Sequence, residues 1–214
     1  MHPPTQYIVA GISTEIGKTV VSAILVEALE ADYWKPVQSG ALEDSDTETV
    51  RRLTGRTGSV FHPEAYRLRE PLSPHAAAAI DGVRISLDAI QPPQTANALI
   101  IELAGGLLVP LNDHDLNIDL VVRLGLPVIL VSKNYLGSIN HTLLSVEALR
   151  SRNIPIAGLI FNGPPTPATE NFILNYTGLP CLAKIGWAPE VNREFVARQA
   201  EVFRKNRENA YAGH

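Results

Sequence analysis

Nine residues, Gly11-Ile12-Ser13-Thr14-Glu15-Ile16-Gly17-Lys18-Thr19, do most to limit what this chain can fold into. They follow a short apolar, β-rich run, Tyr7 to Ala10. They precede an apolar stripe at helical spacing, formed by Val20, Val21, Ile24, Leu25, Ala28 and Leu29. A strand that passes through a Gly-bounded loop into a helix turns backbone N–H groups toward one point, where the helix dipole favours an anion. Lys18 would reach the β- and γ-phosphates of a nucleotide, and the Thr19 hydroxyl would ligate Mg²⁺. The loop is a Walker A element with five residues between its glycines, where the common spelling has four.

Further apolar runs recur at Tyr33 to Val37, Leu99 to Leu103, Val128 to Val131 and Ala157 to Phe161, with a weaker one near Leu182 to Ile185. Helical patterns lie between them, including Ile139, Leu143, Leu144 and Ala148. Continuous apolar strands alternating with helices predict an α/β fold. Its sheet is mostly parallel, covered on both faces, with ligands at the carboxyl ends of the strands. Residues 38–75 are rich in Gly, Pro, Ser and Thr and read as loops with a short helix over Asp46 to Leu53.

At 214 residues and 45% apolar content the chain suits one large domain spanning 1–214. A net charge of −4 with both signs scattered offers no basic face, so a nucleic acid partner is not expected. Cys181 is the single cysteine, which excludes an intrachain disulfide and fits a reducing cytoplasm. No apolar run approaches the roughly 18 residues of a membrane span, and the first residues lack a signal-peptide pattern. A soluble, cytoplasmic protein is the expectation.

A nucleotide-bound metal needs further oxygen ligands, and carboxylates at strand ends are their usual source. Glu102 follows Leu99-Ile100-Ile101 and precedes Leu103-Ala104-Gly105-Gly106, so its carboxylate sits in or just after a buried strand, where a cation would offset its burial. Asp46 is the second candidate, although on spacing alone an N-cap on a solvated helix explains it better.

GISTEIGKT, YWKPVQSG, SDTETV, PLSPHAAA, IELAGGLLVPL, PVILVSKNYLGSINHTLLS and LIFNGPP occur in the order, and close to the spacing, of the dethiobiotin synthetase family. The chain resembles that family from about Tyr7 to Asn162. The resemblance implies a P-loop NTPase-like fold with about seven strands, assembled as a homodimer, using ATP and Mg²⁺. By it, Thr19, Asp46 and Glu102 would hold the metal, and Glu15, Ile16, Gly17, Lys18, Thr19 and Val20 would cradle phosphates. Lys35 matches the catalytic lysine, acting with Lys18 and Thr14. Thr14, Glu15 and Ser39 would meet the diamine substrate. Leu103, Ala104 and Gly105 would lie near the γ-phosphate, with Leu103 where the family commonly has glycine. Asn162 and Gly163 would read adenine, joined by Gly186, Trp187 and Ala188; an asparagine at a strand end also serves as a turn former. Glu190 and Glu194 fit either ribose contacts or a solvated helix. His75 and His141 lack metal-ligand spacing and suit structural hydrogen bonding.

The activity implied joins 7,8-diaminononanoate, CO₂ and ATP through a carbamate and a carbamic phosphoric anhydride. The segment Gly137, Ser138, Ile139 and Asn140 resembles the family element that grips the substrate carboxylate from the neighbouring subunit; alone it reads as a capped helix with Ser138 as N-cap. Two rivals share parts of this pattern. A partitioning or septum-positioning ATPase would carry a second lysine early in the loop, where this chain has Ile12 and Ser13. A cobalamin amidotransferase would need a glutaminase domain, for which 214 residues leave no room.

Overall fold

The computed structural model describes residues 5–212. Strand β1 (Gln6–Gly11) runs into the phosphate loop and helix α1 (Lys18–Leu29), followed by β2 (Asp32–Trp34), β3 (Val37–Ser39) and α2 (Asp46–Leu53). Two short strands, β4 (Phe61–His62) and β5 (Tyr66–Leu68), and α3 (Pro74–Ile80) lead to the long strand β6 (Leu99–Gly106). The rest alternates: α4 (Asn117–Leu124), β7 (Val128–Lys133), α5 (Ser138–Arg150), β8 (Ile156–Asn162), α6 (Pro167–Thr177), β9 (Cys181–Ile185) and α7 (Arg193–Ala212). Seven strands form one parallel sheet in the order β4-β2-β6-β1-β7-β8-β9, and β3 pairs with β5 in a second, two-stranded sheet. This is the α/β class expected from the alternation.

Because side chains alternate along a strand, each buried strand feeds two apolar layers. Ile8 and Ala10 of β1, Leu99, Ile101 and Leu103 of β6, and Val128 and Leu130 of β7 point into one. Val9, Ile100, Ile129 and Val131 point into the other, against Val21, Ile24 and Leu25 of α1 and Phe195, Val196 and Phe203 of α7. Each fully buried Leu, Ile or Val contributes about 1.5–3 kcal/mol over exposure. Among the described residues no helix is long and apolar enough to cross a membrane.

Three expectations are corrected. Tyr33 to Val37 is not one strand: pairing stops at Trp34, and after Lys35 and Pro36 the chain enters the second sheet. Proline has no N–H to donate to the ladder, so a strand ends there readily. Residues 38–75 hold β4 and β5 as well as the helix, strands of two and three residues that are too short to show a period. On α5 the buried positions are Ser138, Thr142, Val146 and Leu149, while Leu144 is 60% exposed.

Asp32, at the start of β2, is buried and accepts hydrogen bonds from Val60 N (2.8 Å), Thr95 Oγ1 (2.6 Å) and Asn97 Nδ2 (2.9 Å), with His62 Nε2 at 3.2 Å. Burial pushes its pKa up, but these donors outweigh that and hold it below 3.8. A depressed folded-state pKa contributes stability above the ordinary value and loses it as pH falls through the folded one. Asp32→Ala strands several buried donors and should cost about 3 kcal/mol. Denaturant melts at neutral pH should show that loss, and it should shrink in acid below 3.8.

Candidate functional site

The site lies at the carboxyl ends of β1, β2 and β6, where a parallel sheet leaves its ligand crevice. In the loop, Glu15 (φ 54°) and Gly17 (φ 85°) are both left-handed, turning successive N–H groups toward one side. Gly17 is also pressed against β8. Asn162 Nδ2 donates to Ile16 O at 2.7 Å, and a Cβ built on Gly17 would fall 2.1 Å from that nitrogen. Ile16 is buried against the α1 face, and Val20 packs beside it.

Strand alternation separates Glu102 from Leu103. Glu102 faces α1 and is 1% exposed, whereas Leu103 is buried in the opposite apolar layer and does not line the cavity. Leu103 thus occupies core space; Ala104 and Gly105, next along β6, form cavity wall.

Around Glu102 the polar groups converge. Its Oε1 lies 3.0 Å from Thr19 Oγ1 and 3.6 Å from Lys35 Nζ, and its Oε2 accepts from Ser22 Oγ (2.7 Å) and Tyr33 Oη (3.0 Å). Thr19 Oγ1 is also 2.7 Å from Asp46 Oδ1, so its one proton serves one carboxylate at a time. Lys35 is paired directly to Asp46 Oδ2. Asp46 is the first residue of α2, and Ser45 is the N-cap, accepting from Glu48 N at 3.3 Å. The Asp46 carboxylate is therefore turned to Thr19 and Lys35 and does not cap the helix.

Charge balance follows from this packing. Burial lowers the Lys18 pKa despite the nearby Glu102 carboxylate, and Lys18 Nζ donates to Ser13 O at 3.2 Å. For Lys35, burial also works against the charge, but Glu102 and Asp46 outweigh it and raise the pKa. Asp46 mirrors this: burial pushes it up, and Lys35 carries it below its ordinary value. Burial keeps Tyr33 protonated far above neutral pH, reinforced by Glu102.

Lys18, Thr19, Lys35, Asp46 and Glu102 line a cavity of about 870 Å³ together with Thr14, Glu15, Gly17, Ser39, Gly105 and Val109, roofed by Pro71 to Pro74. The buried Ser39 hydroxyl has no protein partner. Gln38 lines the same wall, its Nε2 donating to Gly40 O at 3.0 Å while its Oε1 receives Asp46 N at 3.4 Å. Sequence analysis gave no role to Ser22, Tyr33 or Gln38: Ser22 falls inside the α1 pattern, and Tyr33 and Gln38 lie in the YWKPVQSG element, where the resemblance assigns roles only to Lys35 and Ser39. No third acidic side chain, His or Cys completes a metal cluster among the described residues.

At the far rim, Asn162 pairs with Ile185 and Gly163 N donates to Ile185 O at 2.8 Å, bringing Asn162 and Gly163 beside Gly186, Trp187 and Ala188. Trp187 is 73% exposed. Gly137, not Ser138, is the N-cap of α5. Ser138 is buried, with its N–H on Tyr135 O (3.0 Å) and its hydroxyl facing Tyr135 N (3.4 Å), which leaves the Ile139 and Asn140 amides as the helix-start donors. None of residues 137–140 lines the large cavity of its own chain. His141 Nδ1 is 2.7 Å from Tyr135 Oη, and His75 Nδ1 is 3.1 Å from Ser73 Oγ.

Comparison with known proteins fits this geometry. A family model described as an AAA domain matches residues 5–195. Among solved structures, a putative plasmid partition protein from Borrelia burgdorferi bound to AMPPNP superposes with a TM-score of 0.62, covering 99% of this chain and 100% of that one, at 12% identity. That likeness concerns the fold alone. The ATP-dependent dethiobiotin synthetase BioD of Cytophaga hutchinsonii is 52% identical over 91% of this chain and 95% of its own. The corresponding protein of Christiangramia forsetii is 50% identical over 94% and 97%. Identity at this level along nearly the whole of each sequence makes the chain a member of the ATP-dependent dethiobiotin synthetase family.

Proposed function

We infer that the chain makes dethiobiotin from 7,8-diaminononanoate, CO₂ and ATP, with Mg²⁺ as the metal. The observation that carries this reading is the meeting of two lysines, two carboxylates and a threonine at the mouth of the phosphate loop. Thr19 Oγ1, Asp46 Oδ1 and Glu102 Oε1 make an all-oxygen donor set, with only two protein carboxylates, which suits a hard cation that takes its other ligands from phosphates and water. When bound there, Mg²⁺ would neutralise phosphate charge.

The chain's own groups do the rest. Amides of Glu15 to Val20, with the Lys18 ammonium, would hold the ATP phosphates, and Asn162, Gly163 and Gly186 to Ala188 would edge the adenine. The open Ser39 hydroxyl, with Thr14 and Glu15, supports a polar substrate beside Lys35. One amine takes up CO₂ as a carbamate. A carbamate oxygen attacks the γ-phosphorus and ADP departs, giving a mixed anhydride; the second amine attacks its carbonyl carbon and phosphate departs, closing the ring with loss of the amine protons. Lys35 lies where carbamate and γ-phosphate would meet, so its charge would favour the transition state over the ground state. Both amines belong to one skeleton, so ring closure gains from proximity. Phosphate release measured with bicarbonate, with and without 7,8-diaminononanoate, and mass detection of the ureido product test this reading. Turnover indifferent to the diamine would refute it.

The reading includes a homodimer in which the helix start at 137–140 would bind the substrate carboxylate, and the position of that helix start supports it. Residues 137–140 stand outside their own chain's cavity, beside exposed Leu136 and Leu144, which supports their serving a second subunit. Mixing Lys35→Ala protein with an Asn140→Pro variant, whose proline removes a helix-start donor, should return part of the activity, since one site in each mixed dimer is intact. If subunits demonstrably exchange and nothing returns, the shared site is wrong.

A further inference from the structure

Glu102 uses its two carboxylate oxygens differently. Oε2 is occupied by two buried donors, Ser22 Oγ of α1 at 2.7 Å and Tyr33 Oη of β2 at 3.0 Å. Oε1 faces the cavity side, toward Thr19 and Lys35. Ser22 and Tyr33 are both fully buried, and Tyr33 is further fixed by ring contact with Phe61, whose centroid lies 6.4 Å away. A carboxylate held this way cannot swing to present both oxygens without leaving two buried hydroxyls unpaired.

We propose that Ser22 and Tyr33 are positioning residues that restrict Glu102 to a single-oxygen ligand and thereby set the preference of the site for a small octahedral cation over a larger one. Mg²⁺ demands near-ideal octahedral geometry, whereas Ca²⁺ accepts bidentate carboxylates and higher coordination numbers. Releasing Oε2 therefore favours Ca²⁺ selectively. The inference rests on the reading of Thr19, Asp46 and Glu102 as metal ligands. It deepens that reading by assigning selectivity to side chains that need not touch the metal.

The experiment is calorimetric titration of ADP into the full chain with Mg²⁺ or with Ca²⁺, for wild type, Tyr33→Phe, Ser22→Ala and the double variant. Tyr33→Phe keeps the ring and its packing. The expected result is that the ratio of Mg²⁺-supported to Ca²⁺-supported affinity falls about tenfold in the double variant, which frees Oε2 of both donors, and less in each single one, which leaves one donor in place. A purely structural role would lower the melting temperature and leave that ratio unchanged, and an unchanged ratio in a folded Tyr33→Phe or Ser22→Ala protein overturns the inference. If wild-type affinity ignores both metals, the metal reading itself falls, and this inference with it. If the wild type depends on Mg²⁺ but the variants keep its ratio, only the inference falls.

Discussion

Lys35→Ala is expected to lower kcat about a thousandfold while changing ADP affinity only a few-fold. The lost group is one preorganised charge at the reacting centre, and removal of one such donor commonly costs 10² to 10³ in rate, about 2.7–4 kcal/mol. The phosphate loop and Lys18 are untouched. The variant also leaves Asp46 and Glu102 facing one another without their shared ammonium. A melting temperature well below that of wild type in chelator, largely recovered with Mg²⁺, is the matching stability result. Its pH window follows from the shifts. The raised pKa of Lys35 contributes stability below 10.5 and loses it as pH rises through the folded value. The depressed pKa of Asp46 contributes above 3.8 and loses it as pH falls. The stability difference between wild type and variant should thus hold between those limits and shrink outside them. Single-turnover assays of product, with calorimetry of ADP, check the rate effect. A normal kcat would remove Lys35 from the chemistry.

Gly17→Ala should weaken ADP binding about a hundredfold or more and destabilise the fold by roughly 2–3 kcal/mol. Two costs add. A side chain at φ 85° is strained, and its Cβ would meet Asn162 Nδ2 at 2.1 Å, forcing either the loop or the Asn162 bond to Ile16 O to give way. Gly17→Ala combined with Asn162→Ala separates these, because it removes the clash and keeps the dihedral strain. Part of the stability should return, and stability is the measure that separates the two costs, since Asn162 is itself read as an adenine contact. Wild-type affinity in Gly17→Ala would show that the loop tolerates a different backbone.

How much of this was legible in sequence depends on range. The phosphate loop could be read because its parts are contiguous, and Glu102 because a lone carboxylate interrupts the apolar run Leu99 to Leu103. The strand alternation that turns Glu102 to α1 also turns the neighbouring Leu103 side chain away from the cavity and into the core. Asp46 was ambiguous because an acidic residue after a serine reads as a helix start, and only the fold reveals that Ser45 does the capping. Ser22 and Tyr33 were invisible for a different reason. Their function is a contact across 80 and 69 residues of sequence, and neither residue type is unusual in its own element. Strands β4 and β5 are too short for periodicity to register.

The strand order has a consequence for how the molecule comes into being. β1 is made first, yet its neighbours in the sheet are β6 and β7, whose residues follow about a hundred positions later. The clamp on the phosphate loop waits longer still, since Asn162 sits 146 residues from Ile16. Closing such long loops must precede any reward from the contacts they make, which slows folding and leaves apolar strands unpaired meanwhile. On the ribosome, Tyr7 to Ala10 therefore emerges as an orphan edge, and nucleotide can act as a folding ligand only after β8 has been synthesised.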